Sequence, residues 1–308
     1  MIVVPLGTSS AAPTRERHLS SAALISDGRI LLFDCGEGTQ MRLKHAGLRT
    51  SRIAAVFITH LHGDHYFGLL GLMSSMALMR HKDPLVVVAP EELTRVMHLL
   101  PNIRDHELTY PVELVPLPAC LSHAVVYDTP EFFVEARALA HRVFTVGYRI
   151  QEKARPGRLD VKRAGALGIV DYTDYQALKR GQPVKGPGGR LVQPDAVLAA
   201  PKAAPSFAYV ADTSPCEGGV LLARGATLLM HEATFAGAMQ ARARATGHST
   251  AAEAAAVAKK AGAGKLLLTH FSSRYKDVEP LVEEARAVFP ATEAAQELER
   301  YTVVPTDG

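Results

Sequence analysis

The chain has 308 residues, 47% of them hydrophobic and 21% charged, a balance that supports a large folded core and excludes disorder and fibrous repeats. Its longest mainly apolar stretch, residues 68–79, falls well short of the roughly 18 to 20 residues a membrane-spanning helix needs. The net charge is only +3, yet residues 153–190 hold nine Lys/Arg against three Asp, a block of +6 that suits a polyanion such as nucleic acid, with a solvated loop as the alternative.

The chain opens Ile2-Val3-Val4-Pro5-Leu6, an apolar run without a basic leader. It predicts a first strand in place of a secretion signal, and hence a cytoplasmic protein. Short apolar runs rich in β-branched residues predict further strands over 30–34, 53–59, 85–88, 132–140, 207–211, 227–230 and 265–269. Residues 68–79 read as a buried helix or as one face of a subunit interface. A helix over 90–100 is expected to open at Pro90 and to place Leu93, Val96, Leu99 and Leu100 on one face. A second helix, over 251–261, follows Ser249-Thr250 and stops at Gly262. Strands alternating with helices imply one layered α/β domain spanning 1–308. Residues from about 151 to 193 break the rhythm with frequent Gly and Pro and fading apolar periodicity, which predicts an insertion projecting from the core. Cys35, Cys120 and Cys216 are odd in number and widely spaced, so they are expected to be buried or inert thiols.

The densest chemistry lies in Thr59-His60-Leu61-His62-Gly63-Asp64-His65, where four potential metal ligands crowd into six positions directly after a buried strand. In extended chain, residues two apart point the same way, so His60 and His62 can reach one ion. Gly63 then allows a sharp turn, and Asp64 and His65 open the next helix toward a second ion. Imidazole with carboxylate suits zinc, and manganese accepts the same ligands. His141, Asp212 and His270 each end a predicted strand, where α/β folds gather their sites.

With these later residues, His60-Leu61-His62-Gly63-Asp64-His65 resembles the signature of the metallo-β-lactamase superfamily, a four-layer αββα sandwich. Gly7-Thr8-Ser9-Ser10-Ala11-Ala12-Pro13-Thr14, Phe33-Asp34-Cys35-Gly36-Glu37-Gly38-Thr39-Gln40, His231-Glu232-Ala233-Thr234, His248-Ser249-Thr250 and His270-Phe271-Ser272-Ser273-Arg274-Tyr275 are similar to the marks of its ribonuclease Z family. The resemblance implies an endoribonuclease that removes the 3′ trailer from precursor tRNA and leaves 3′-hydroxyl and 5′-phosphate ends. It implies two zinc ions per subunit, one on His60, His62 and His141 and one on Asp64, His65 and His270, with Asp212 bridging both. It also implies Asp64 as general base, His248 as proton donor or phosphate ligand, and His231 as support for His248. A homodimer is implied as well, as is a basic, protruding tRNA-clasping arm at about 151–193 that contains Lys179 and Arg180. Arg15, Arg17 and His18, on a loop over 13–21, and Arg274 are candidates to meet RNA near the cut. Two alternatives share the motif: a hydrolase of small phosphodiesters or sulfate esters, and a noncatalytic RNA-binding protein whose zinc only supports folding.

Overall fold

The computed structural model describes residues 1–99, 108–154, 156–200 and 203–305. The chain divides into two compact units, Met1–Gln151 with Pro205–Gly308, and Glu152–Ala204.

In the first unit, β1 (Ile2–Gly7), β2 (Ser21–Ser26) and β3 (Arg29–Phe33) form an antiparallel meander. Then β4 (Ile53–Phe57), β5 (Leu85–Pro90) and β6 (Val112–Leu117) add on parallel to β3. Helices α1 (Thr39–His45), α2 (Gly63–Tyr66), α3 (Leu69–Leu78) and α4 (Glu91–Leu99) lie on the connections. A second sheet begins with β7 (His123–Asp128), β8 (Phe132–Ala138) and β9 (Val146–Glu152). The second unit then follows, with α5 (Val161–Ala166), α6 (Tyr172–Lys179) and the short hairpin β10 (Val184–Lys185) and β11 (Leu191–Val192). Back in the first unit come β12 (Ser206–Val210), α7 (Glu217–Ala223), β13 (Leu228–Glu232), α8 (Gln240–Thr246), α9 (Ala251–Ala261), β14 (Leu266–Thr269), α10 (Glu279–Arg286) and β15 (Thr292–Ala294). Finally β16 (Tyr301–Thr302) returns to pair with β1. The sheet orders are β16-β1-β2-β3-β4-β5-β6 and β15-β14-β13-β12-β9-β8-β7.

The two sheets of the first unit pack face to face. Phe33 and Phe57 of one sheet stack with ring centroids 5.2 Å apart and meet Tyr148, Phe207 and Tyr209 of the other. The outer face of the first sheet is covered by Leu43 of α1, Leu69, Leu72, Met73 and Met76 of α3, and Leu93 and Met97 of α4. Alanines of α9 with Leu281 and Val282 of α10 cover the outer face of the second. This is the αββα layering that the resemblance implies. Three parallel strands, β12, β13 and β14, therefore end at one rim, as do β3 and β4, and side chains at those ends can converge.

Several local expectations shift. Pro90 closes β5 and the helix starts at Glu91; its buried residues are Leu93, Thr94 and Met97, while Val96 and Leu99 are 54% and 73% exposed. Leu93 and Met97 are four apart and share a face, a pairing the expected stripe passed over; Leu100 lies outside the described residues. The α9 helix runs as expected, opened by a Thr250–Glu253 capping box and closed by Gly262 at φ +64°. Cys35 is buried with its thiol pushed up to about 12 by burial, Cys216 is half-buried and Cys120 is exposed, and all three are free thiols. Where apolar periodicity fades, the second unit still builds a small core of Ala164, Ile169, Leu178, Val184, Val192 and Val197. No helix among the described residues is long and apolar enough to cross a membrane.

Candidate active site

The first ligand pair sits where β4 runs out. His62 is extended, at φ −80° and ψ 140°, and caps α2, so His60 and His62 leave the strand and Asp64 and His65 open the helix. Gly63 has no positive φ, and a Cβ there would meet the exposed Phe67 ring at 2.3 Å, a contact the ring can swing away from. His270 follows β14 in the left-handed region, at φ +58°, a conformation costing about 1 kcal/mol or more that turns its ring toward the rim.

Six of the expected ligands converge around Asp212. On one side His60 Nε2 lies 3.0 Å from His62 Nδ1 and 3.6 Å from Asp212 Oδ2, and His141 Nε2 lies 3.4 Å from His62 Nδ1 and 3.9 Å from Asp212 Oδ2. On the other, Asp212 Oδ1 lies 3.3 Å from His65 Nε2 and 3.1 Å from His270 Nε2, while Asp64 Oδ2 is 3.4 Å from His65 Nε2 and 3.6 Å from His270 Nε2. Metal–ligand bonds of about 2.0–2.1 Å in a tetrahedron put neighbouring donors about 3.3–3.4 Å apart, so both groups have the edge lengths of a four-donor cage. His65 Nε2, His270 Nε2 and Asp212 Oδ1 are buried polar atoms without a hydrogen-bond partner, which is costly unless a cation sits among them. The donor set therefore fits divalent metal, with one oxygen of Asp212 facing each group.

The electrostatics agree. Burial pushes His60 well below the ordinary imidazole range, with the charge of His65 adding to it, and burial also lowers His62 and His141 despite the pull of Asp212. Neutral imidazoles are the form that binds metal. Burial works against charge on Asp212, but His270, His65 and His60 outweigh it and hold the carboxyl well below the usual range. His65 moves up against its burial because Asp212 and Asp34 flank its two nitrogens; if a divalent ion were held by His65 and Asp212, its charge would do there what the proton does here.

Behind the donors, the remaining ring nitrogens of His60, His65, His141 and His270 are each aimed by an acceptor, which fixes the tautomer. His65 Nδ1 bonds Asp34 Oδ2 at 2.7 Å, and His60 Nδ1 bonds Thr59 Oγ1, which itself donates to Asp34. Asp34 also accepts from Thr59 N and Tyr209 Oη, so its buried carboxylate is fully engaged. His141 Nδ1 donates to Gly247 O at 2.7 Å. Gly247 stands at φ +75°, and a Cβ there would lie 2.8 Å from His141 Nδ1, so only glycine fits. His270 Nδ1 bonds Thr234 Oγ1, which donates to Glu232 Oε2 at 2.6 Å.

His248 stands beside this cluster. Its Nδ1 is 2.8 Å from Glu232 Oε1 and 4.0 Å from Asp212 Oδ2, so Glu232 is its partner. Burial opposes charge on the ring, but Glu232 outweighs it and raises the His248 pKa. The supporting role expected of His231 falls to Glu232. Successive strand residues face opposite ways, and His231 pairs with Val210 and Leu268, which face the helices, with Nδ1 bonded to its neighbour's carbonyl at 2.8 Å. Its Nε2 is buried without a partner.

Of the expected RNA contacts, Arg15 is exposed. Arg17 donates through Nη2 to the carbonyls of Ser272 and Tyr275, and His18 is held by Glu297, which also pairs with Arg42, so both pin the loop in place. Arg274 is exposed and lies 5.1 Å over the Phe235 ring. Lys179 and Arg180 are exposed at the end of α6 in the second unit. Just before the loop that carries Arg15, Arg17 and His18, Ala11 N donates to Asp64 Oδ2 at 2.8 Å.

Comparison with known proteins gives this geometry its relatives. The chain is 50% identical over 306 residues to ribonuclease Z of Salinibacter ruber, covering 99% of this chain and 95% of that protein. The chain belongs to the ribonuclease Z family. Ribonuclease BN of an Enterobacter species is 38% identical, with 98% of this chain and all of that protein covered. Among solved structures, the short form of human tRNase Z (ELAC1) superposes with a TM-score of 0.73 at 28% identity, over 99% of this chain and 100% of that one. The metallo-β-lactamase fold protein YhfI of Bacillus subtilis, at 19% identity and a TM-score of 0.68, shares the fold over 97% of this chain and 98% of its own. A family model described as anti-Pycsar protein Apyc1 matches residues 1–106, which include the first ligand motif.

Proposed function

We propose that this chain is the endoribonuclease that removes 3′ trailers from precursor tRNA, working in the cytoplasm with two zinc ions per subunit. The observation that carries this reading is the double cage around Asp212, set in a chain that belongs to the ribonuclease Z family. His60, His62 and His141 would hold one ion, Asp64, His65 and His270 the other, and Asp212 both; manganese suits the same donors. When bound, such ions lower the pKa of a water and neutralise charge building on a phosphodiester.

The chain's own residues do the rest. Among the described contacts of Asp64, all converge on Oδ2, from Ala11 N, His65 and His270, which leaves Oδ1 to accept the proton of the attacking water. Glu232 raises the His248 pKa and holds the ring by Nδ1, so that in its protonated form Nε2 is the atom that would donate to the departing 3′ oxygen. The products then carry a 3′-hydroxyl and a 5′-phosphate. Arg15 and Arg274, both exposed, would meet backbone phosphates, which position RNA without reading its sequence. Lys179 and Arg180 give the second unit a basic face for the body of the tRNA.

Incubating the zinc-loaded protein with a precursor tRNA carrying a 3′ trailer, and mapping the cut to the nucleotide, tests this reading. A single cut after the discriminator nucleotide is expected, and its KM should climb steeply with salt, less so for Lys179→Ala with Arg180→Ala. Equal turnover of a small model diester, or no cut at all, contradicts it.

Pairing of two copies is also part of this reading. Phe67, Leu70, Leu78 and Met79 are exposed apolar residues along the outer side of α2 and α3, with Leu70, Ser74 and Leu78 repeating every four residues. Leu78 is 85% exposed, so Leu78→Glu leaves the fold untouched and should convert a dimer to a monomer in sedimentation velocity. An unchanged sedimentation coefficient removes α3 from the interface.

A further inference from the structure

A second concavity lies at the other end of the strands that carry the metal site. Its volume is about 300 Å³, and it opens where β3 and β4 begin. Ile25, Ile30 and Leu48 form an apolar floor, and Arg49, Arg52 and Arg300 form the rim, with no Asp or Glu in the lining. From Ile30 to Asp34 the chain advances four residues, roughly 13 Å at strand rise, so an occupant here is out of reach of the ligand cluster.

The rim gathers charge without an acidic neighbour in the lining. Arg42 is matched by Glu297, Arg95 by Glu91, Arg286 by Glu279 and Arg149 by carbonyl groups, whereas three arginines without a described partner meet around this one hollow. Among the described residues, Arg49, Arg52 and Arg300 are exposed and their side chains enter no ion pair or hydrogen bond. Three guanidiniums around one hollow repel one another, and an anion at their centre relieves this. The planar guanidinium fork matches phosphate oxygens two at a time. The floor adds a demand that a bare anion cannot meet, because below the guanidiniums the lining is hydrocarbon, partly exposed Ile25 over buried Ile30 and Leu48. A volume near 300 Å³ sits at the small end of ligand pockets, enough for one nucleotide and too little for a folded RNA segment.

We propose that this hollow is a nucleotide-binding site, separate from the metal centre, taking a nucleoside monophosphate. Its phosphate lies among Arg49, Arg52 and Arg300, and its base lies on Ile25, Ile30 and Leu48. No bond is made or broken there; the site senses a mononucleotide, the class of product that exonucleolytic breakdown of RNA supplies.

Titration calorimetry of the metal-loaded full chain with AMP, adenosine and inorganic phosphate tests the site without reading cleavage. One AMP per chain is expected, with adenosine and inorganic phosphate each at least about tenfold weaker, since each keeps half of the contacts. The triple variant R49Q, R52Q and R300Q should lose AMP binding about tenfold or more while retaining precursor-tRNA cleavage and its circular dichroism spectrum. Arg300→Ala alone, a change at the rim only, should weaken AMP measurably and guards against misfolding of the triple variant. Asp212→Ala should leave AMP binding intact. AMP affinity unchanged by both arginine variants, lost in Asp212→Ala, or matched by inorganic phosphate overturns the proposal.

Discussion

Asp212→Ala is expected to lower cleavage of precursor tRNA by at least about a thousandfold and to reduce bound metal, read together by a cleavage assay and elemental analysis. Among the described residues, Asp212 is the only one whose two carboxylate oxygens each face one of the two donor groups, Oδ1 toward His65 and His270 and Oδ2 toward His60 and His141. Its removal takes a donor from both cages at once, leaving His60 and His141 without their described carboxylate and His65 and His270 with Asp64 alone on that side. Loss of any single histidine strips one cage and leaves the other with its full set. The expected order of damage therefore puts Asp212→Ala below His62→Ala in residual metal content. Because the side chain is only 3% exposed, unfolding is a rival explanation for lost activity. Asp212→Asn keeps the shape and serves as the control: retained fold with lost metal assigns the effect to the charge. Retained activity in either variant contradicts a bridging role.

His248→Ala is expected to behave differently, lowering kcat by about 10²- to 10⁴-fold while metal content and KM change little. His248 is tied to Glu232 rather than to a donor group, so its loss removes a proton donor and leaves the cages complete. Glu232→Gln separates donation from mere packing. The Glu232 carboxylate raises the His248 pKa in the folded chain, so the donor form persists above the ordinary imidazole range and is lost as pH rises through that raised value. Without the carboxylate, the falling limb of the kcat–pH profile moves to lower pH. An unmoved limb, or loss of metal from His248→Ala, assigns His248 a structural part instead.

How much of this was legible before the fold is visible in which residues sequence reasoning reached. His60, His62, Asp64 and His65 announced themselves because their mutual geometry is local: a strand end and a helix start fix it within six residues. His141, Asp212 and His270 were readable as polar residues ending apolar runs, and the parallel order of β12, β13 and β14 is what brings their strand ends to one rim. Asp34 and Glu232 lay inside quoted motifs but received no role. Their importance is a matter of register, since Asp34 matters only because β3 pairs with β4 and sets it beside Thr59 and His65. Taking His231 for Glu232 is a one-residue error that reverses the side-chain direction in a strand. The edge strands β6 and β7 were passed over because their exposed and half-buried residues alternate without a continuous apolar run. The second unit was obscured for a related reason: its core needs only a few apolar residues, spaced too irregularly to show a period.

The most direct test of the central claim, that seven side chains from separate strands hold a pair of metal ions, is anomalous diffraction from crystals grown with zinc, recorded on either side of the zinc edge. Two peaks are predicted, one among His60, His62 and His141 and the other among Asp64, His65 and His270, with Asp212 between them. A single peak, or peaks held by other residues while this cluster diffracts without one, contradicts the account.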